Sequence, residues 1–212
     1  MGSSFSVCFS PLLACHAVTD APAKPAAETA HYRLRAMKAL LIRPIAASDM
    51  PAVTAVYAQA VLHGSATFEL EPPDEAEMAR RRDDVLSKGL PWLVAEQGGR
   101  ILGYAYAAPF RPRPAYRFCL EDSIYLDPAS HGRGVGRLLL AELVAQCESR
   151  GARQMLAVIG DSDNAASIGV HRACGFDHGG ILQAAGWKFG RWVDVVLMQR
   201  SLGEGRSTPA AG

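Results

Sequence analysis

Between Leu120 and Leu140 the chain reads LEDSIYLDPASHGRGVGRLLL. Glu121 and Asp122 open a run of apolar, β-branched and aromatic residues that predicts a strand, and Pro128 follows it. Beyond the glycines, Val135, Leu138, Leu139, Leu143, Val144 and Cys147 recur at three- and four-residue steps, the spacing of an amphipathic helix that ends at Gly151. Between strand and helix stand Gly132, Gly134 and Gly136, alternating with Arg133 and Val135. A turn needing a positive φ would use one glycine; three in alternation describe a backbone left bare so that a ligand can lie against it. Such a loop aims amide N–H groups outward at a helix N-terminus, where the helix dipole adds positive potential, so an anion is the natural occupant. Arg133 and Arg137 add cations beside it, and a pyrophosphate fits that set. The loop is neither the G-x-G-x-x-G of dinucleotide folds nor the G-K-[ST] of nucleotide P-loops, which turns the reading away from nicotinamide and ATP.

The surrounding chain limits the alternatives. Its 212 residues, 49% hydrophobic and 20% charged, suit one globular domain with a substantial core. With 22 basic and 21 acidic residues the net charge is +1, so no global field attracts nucleic acid or an anionic membrane, and neither is expected as a partner. The five cysteines, Cys8, Cys15, Cys119, Cys147 and Cys174, are odd in number and scattered, which speaks against a disulfide framework or a zinc site; no metal is expected, and the cytoplasm is. Residues 1–38, rich in Ala, Ser and Pro, predict a disordered extension. Its MGSSFS fits a myristoylation pattern, its LLAC a lipoprotein cleavage box and its apolar opening a signal peptide, each weakly, and a signal peptide wants positive charge before its apolar region whereas the first Lys or Arg is Lys24; Met37, followed by KALLIRPI, is an alternative start. No apolar run reaches the roughly 18 residues that span a bilayer.

From residue 39 to 202 the patterns predict a regular domain, with a tail over 203–212. ALLIRPI reads as a strand and SDMPAVTAVYAQAVL as a helix capped by Ser48 or Asp49, with Pro51 in its first turn. A polar loop, HGSATFELEPP, leads to a charged helix, DEAEMARRRDDVLSK. PWLVAEQGGRILGYAYAAPF predicts two strands joined at Gly98-Gly99, and the prolines of RPRPAY mark a loop before the strand around Glu121. After the glycine loop and its helix come a strand RQMLAVIG, a short helix over DNAASIGVHRACG begun by Asp163 or Asn164, and two closing strands. The expected order is strand, two helices, three strands, helix, strand, helix, two strands.

His131-Gly132-Arg133-Gly134-Val135-Gly136 resembles the acetyl-coenzyme A loop of the GNAT superfamily of N-acetyltransferases, R/Q-x-x-G-x-G/A, with His131 where the family has Arg or Gln. DNAASIGVHRACGF resembles a second segment of that superfamily. ATFELEPP, RPRPAYRFCLEDSIYL, AVIG and AAGWKFGRWVDVV are similar to its phosphinothricin and methionine sulfone/sulfoximine acetyltransferases. The resemblance implies an α/β (α+β) fold, a central mixed, mostly antiparallel sheet of about seven strands flanked by four helices. It implies acetyl-CoA as co-substrate, a small-molecule amine as partner and, as the family's habit, a homodimer.

By that resemblance Glu121 is the general base, needed because an α-amine is mostly protonated at neutral pH. Adjacent strand residues face opposite sides, so only one of Glu121 and Asp122 can enter the cleft. Backbone groups of Ile124, Tyr125 and Leu126 would meet the acetyl carbonyl and the pantetheine arm, and Asn164 and Ser167 would also contact the coenzyme. His171 matches a histidine proposed as catalytic in the subfamily, but a helix histidine so placed is equally a packed core residue. Arg111 and Arg113 would hold the substrate's carboxylate or its second oxygen group, since guanidinium pairs with carboxylates bidentately. Phe68, Glu69 and Tyr116 would shape the pocket, while Trp187, Trp192 and Asp194 serve core or dimer packing. The rival functions are transfer to another amine (a protein N-terminus, a polyamine, an antibiotic) and a noncatalytic acyl-coenzyme A sensor; the basic loop disfavours a polyamine.

Overall fold

The computed structural model describes residues 40–210; the extension expected over residues 1–38, its targeting signals and the alternative start at Met37 lie outside the described residues. The element order matches the one expected: β1 (Leu40–Pro44), α1 (Met50–His63), α2 (Glu75–Ser87), β2 (Trp92–Gln97), β3 (Arg100–Pro109), β4 (Cys119–Leu126), α3 (Val135–Ser149), β5 (Gln154–Gly160), α4 (Ala165–Ala173), β6 (Asp177–Lys188) and β7 (Arg191–Ser201). Short 3-10 turns precede α1, β4 and the glycine loop. The seven strands form one sheet in the order β1-β2-β3-β4-β5-β7-β6. Every neighbouring pair is antiparallel except β4 and β5.

Local chemistry accounts for the ends of the elements. Gly98 and Gly99 have φ of 59° and 79°, the left-handed pair that a tight β2–β3 hairpin needs. Asp74 caps α2 by accepting the Glu77 amide at 2.8 Å. Asp49 sits at the N-cap of α1 but makes no side-chain cap there. Its carboxylate takes the Ala46 amide at 2.7 Å and both Arg43 terminal nitrogens, so it ties β1 to the helix instead. Residues 203–210 run as turns after β7, and Arg153 Nη2 donates to the Thr208 carbonyl at 3.0 Å.

Each face of the sheet carries its own apolar layer. Leu139, Leu140, Leu143, Val144 and Cys147 of α3 pack with Leu120, Met155, Ala157 and Val196, and Ile124, Leu126 and Ile168 join from the border. On the other face Met50, Val53, Tyr57 and Val61 of α1 and Met78 and Val85 of α2 pack on Trp92, Val94 and Tyr104, with Tyr106 and Tyr125 at the border. Strand alternation therefore divides β4: Leu120, Asp122, Ile124 and Leu126 look toward α3, and Glu121, Ser123 and Tyr125 look toward α1.

The sheet is split where the site lies. β4 and β5 pair from Cys119↔Gln154 to Asp122↔Ala157 and no further. Beyond that rung β4 stays with β3 as far as Leu126↔Gly103, and β5 stays with β7 as far as Gly160↔Val195. The two halves of the sheet diverge, and the facing edges from Ser123 and from Val158 onward leave backbone hydrogen-bonding groups free of each other. Among the described residues no helix is long and apolar enough to cross a membrane.

Candidate active site

The glycine loop stands beside that split, where Gly136 approaches Leu126 and Ile124 of β4 and Val170 of α4. Gly132 and Gly134 have φ of 70° and 81°, conformations that L side chains rarely adopt, and a Cβ on either would project into open space. Gly134 is the N-cap of α3 and offers no side-chain cap, so the first-turn amides of Val135, Gly136 and Arg137 point out of the helix without an intrahelical acceptor. Leu138 is the first residue whose amide bonds back into the turn, to the Gly134 carbonyl at 3.3 Å. Gly136 has a separate reason: a Cβ there would lie 3.1 Å from Leu126 Cδ1, so glycine lets α3 approach β4. His131, Arg133 and Arg137 are exposed around the cradle, and Arg133 Nη2 donates to Gln97 Oε1 at 2.6 Å. Bare amides at a helix N-terminus, an open approach and an unpaired strand edge behind them fit the pyrophosphate and the amide-rich arm of coenzyme A.

Glu121 stands on the last rungs before the strands part, opposite the small Ala108 of β3. Among the described residues its carboxylate accepts no hydrogen bond. Its pKa is raised, first by burial and then by the neighbouring negative charge of Asp122, with Arg111 opposing both. Tyrosines border the same face of the sheet. Tyr106, on the same face, has its pKa raised by burial, against a hydrogen bond with Ser123 and the charge of Arg81, and with help from Glu121 and Glu69. Tyr57 is pushed up to about 12, mainly by burial, and donates to Glu69 Oε1 at 2.9 Å. Tyr125 packs edge-on against Tyr57 at 4.9 Å between centroids, so its side chain belongs to this wall.

The expected substrate residues separate into groups. Glu69 does not stand free: Arg81 Nη1 donates to its Oε1 at 2.7 Å, and Arg81 also holds Glu77. Phe68, 38% exposed, lies against Gly160 and Gly186. Arg111 stacks over Phe110 with its guanidinium carbon 4.6 Å from the ring centroid, and Phe110 meets Tyr116 edge-on at 5.7 Å. Of the two arginines expected to hold substrate, Arg111 acts electrostatically on Glu121. Arg113 is exposed at the N-cap of the turn Pro114–Tyr116, and no contact ties it to Glu121.

His171 lies away from Glu121, on the α3 side of the sheet. It is 2% exposed, with Nδ1 2.8 Å from the Ser167 carbonyl and Nε2 3.0 Å from Asp122 Oδ2. Both ring nitrogens are thus occupied inside the core, and Phe176 covers the ring edge-on. Burial works to lower the imidazole's pKa, but the hydrogen bond and charge of Asp122, with the Ser167 carbonyl, raise it overall. Asp122 is the carboxylate that does not enter the cleft. Asn164 caps α4 by accepting the Ser167 amide at 3.2 Å, and its Nδ2 reaches the Gly160 carbonyl at 3.3 Å, across the tip of β5. Trp187 and Trp192 are 57% and 63% exposed, which removes core packing as their role. Asp194 accepts the Ala184 amide at 2.9 Å and the Ser162 hydroxyl at 2.8 Å, pinning the bulge in β6. Among the described residues no group of three or more His, Cys, Asp or Glu could hold a metal ion.

Sequence reading missed Arg81, Tyr57 and Tyr106. Arg81 sits in ARRRDD, which reads as a solvated helix face, and its i,i+4 spacing from Glu77 was the one available signal.

A sheet opened at one parallel pair, a bare helix N-terminus at its mouth and a carboxylate on the last shared rungs define an acyl-coenzyme A transferase site. The chain belongs to the acetyltransferase (GNAT) family, which matches residues 58–176, and is an acetyl-CoA-dependent N-acetyltransferase. It is 51% identical over 189 residues to phosphinothricin N-acetyltransferase of Alcaligenes faecalis, covering 89% of this chain and 93% of that one. It is 38% identical over 169 residues to L-methionine sulfoximine/L-methionine sulfone acetyltransferase of Pseudomonas aeruginosa, covering 79% and 98%. Among solved structures, a GNAT superfamily phosphinothricin acetyltransferase from Sinorhizobium meliloti in complex with AcCoA superposes with a TM-score of 0.79 at 47% identity, covering 82% of this chain and 94% of that one.

Proposed function

We propose that the enzyme acetylates the α-amine of a small, anionic amino-acid-like substrate of the phosphinothricin, methionine sulfone or methionine sulfoximine type, by direct transfer with Glu121 as general base. The observation that carries this reading is the state of Glu121: half-buried, free of hydrogen bonds from the protein among the described residues, and raised in pKa at the point where β4 and β5 part. A carboxylate so held takes a proton more readily than an exposed one. Acetyl-CoA supplies an activated acyl carbonyl when bound. The chain's own part is then positional. Amides of the glycine loop hold the pyrophosphate, and the free edge of β4 from Ile124 to Leu126 donates to the acyl oxygen and pairs with the arm, with Asn164 and Ser167 on the far side. Glu121 receives the ammonium proton and frees the nitrogen lone pair to form the C–N bond at the acyl carbon as the C–S bond breaks, the second nitrogen proton leaving with the thiolate to give the free thiol, while Arg111 offers its guanidinium to the substrate carboxylate. His171 keeps α4 on β4 through Asp122 and does not touch the reacting atoms. The names of the curated relatives favour the same substrate class.

We infer in addition a cytoplasmic homodimer. Ile181, Leu182, Trp187, Phe189 and Trp192 are exposed apolar side chains on the β6–β7 hairpin, with Trp187 and Trp192 edge-on at 5.2 Å between centroids, and the three described cysteines are free thiols.

The test is to mix the protein with acetyl-CoA and a panel of amines and follow thiol release. Turnover of the three amino-acid analogues, lowered about 10²-fold or more in Glu121→Gln, supports the proposal. Efficient acetylation of spermidine or a protein N-terminal peptide with none of the analogues overturns the substrate class, and coenzyme binding without turnover of any amine would mark a sensor.

A further inference from the structure

Lys188 is the one lysine among the described residues that is buried, at 2% exposure, and it has no ion-pair partner among them. Its Nζ donates instead to two backbone carbonyls, those of Gly64 and Thr67, at 2.8 Å each. Gly64 is the C-cap of α1, so the ammonium also meets the negative end of that helix. Burial lowers the lysine's pKa, with the charge of Glu69 opposing. An apolar side chain would fill the same volume without the cost of desolvating an ammonium, so a role in holding something in place is the better account.

What it holds is the segment from Gly64 to Phe68, and other contacts press the same segment down. Ser65 Oγ donates to Asp161 Oδ2 at 2.8 Å. The Ser65 carbonyl lies so close to Gly160 that a Cβ there would be 2.0 Å from it. The Phe68 ring occupies the space above Gly186, where a Cβ would meet ring carbons at 2.4 to 2.8 Å. The segment thus lies flat on the ends of β5 and β6, and the next residue, Glu69, is the carboxylate held by Tyr57 and Arg81.

We propose that Lys188 and Gly186 are positioning residues that fix Phe68 and Glu69, and through them set which substrate side chain the acetyltransferase accepts. This rests on the assignment of that loop as the wall of the amine site. Lys188→Met keeps length and apolar volume and removes the two donated bonds. Gly186→Ala leaves the lysine alone and pushes the Phe68 ring away from β6.

The experiment pairs hydrogen exchange with steady-state kinetics on the full chain. In Lys188→Met, peptides covering residues 64–70 should exchange faster, the KM for the amine should rise about tenfold, and the KM for acetyl-CoA should stay within about twofold. Gly186→Ala should change the ratio of kcat/KM between methionine sulfone and a shorter amino acid while leaving kcat for the better substrate within about threefold. Unchanged exchange at residues 64–70 overturns the clamp whatever the substrate is. Faster exchange with both KM values unmoved, for whichever amine the wild type acetylates, overturns the link to specificity. Should the wild type accept only non-amino-acid amines, the substrate class has failed, and the exchange result still decides the clamp.

Discussion

His171→Phe separates a supporting histidine from a catalytic one. His171 and Asp122 are 2% and 6% exposed, their polar atoms are 3.0 Å apart, and Asp122 Oδ1 already lacks a partner among the described residues. Without the imidazole the carboxylate is left buried and unpaired, and breaking such a pair costs about 3–5 kcal/mol. In a domain of this size each kcal/mol lowers Tm by about 2–4 °C, so the variant should melt roughly 6–20 °C early. Adding Asp122→Leu should return most of that loss, because an apolar pair carries no desolvation penalty. Thermal melts by circular dichroism read the stability, and thiol release well below the lowered Tm reads activity. There kcat should fall less than about tenfold, since a group that does not reach the reacting atoms withholds no proton transfer. The pH dependence adds a sign. The folded pKa of His171 lies above its unfolded value near 6.5, so the pair stabilises fully below about pH 6.5 and loses that contribution as pH rises through the folded pKa. The wild-type Tm should decline across that interval and the double variant's should not. A His171→Phe protein that melts with the wild type yet loses 10²-fold or more in kcat would refute the reasoning and make the histidine catalytic.

Glu121→Gln should lower kcat by about 10²-fold or more with acetyl-CoA affinity unchanged. Because the folded pKa of Glu121 is raised, its ionised form weakens the fold as pH rises through that value, so the amide should melt no earlier than the wild type at neutral pH; a lower Tm with retained turnover would contradict both claims. Arg111→Ala should raise the amine KM by about 10- to 10²-fold, for a charged hydrogen bond of roughly 1.5–3 kcal/mol, and should move the acid limb of kcat/KM to higher pH, because Arg111 holds the Glu121 pKa down. An unmoved limb with normal KM would separate Arg111 from the site. Gly134→Ala places a Cβ at φ 81°, a strain of about 1–2 kcal/mol, and obstructs the cradle, so acetyl-CoA affinity measured by calorimetry should drop while amine KM holds. Trp187→Glu should convert a dimer to monomers in sedimentation; an unaltered mass would place the exposed hairpin outside any interface.

The order of elements and the bare glycine loop were legible because both rest on local rules. Apolar spacing distinguishes α3 from β5 over a few residues, and Gly98-Gly99 and Gly132-x-Gly134 announce positive φ through the missing Cβ. Alternation also required that Glu121 and Asp122 part company. It did not say which of them faces the cleft, because that depends on the helices each face of β4 packs against.

The contacts that complete the site join residues far apart in the chain. Asp122 and His171 are 49 residues apart, and Lys188 and Gly64 are 124 apart. Arg81 looked like one more charge on a solvated helix until its side chain met Glu69 across a loop. A lysine before a turn is ordinarily a surface residue, and no pattern of neighbours marks it as buried. The sequence alone determined the order of the elements and the bare helix N-terminus at Gly134, since φ preference and amphipathic period act within a turn or two. Only the tertiary structure decided that Glu121 looks toward α1 and Asp122 toward α3, that His171 is bonded to Asp122 and that Lys188 grips the loop beside Phe68, since burial and hydrogen-bond partnership depend on which elements the sheet brings together.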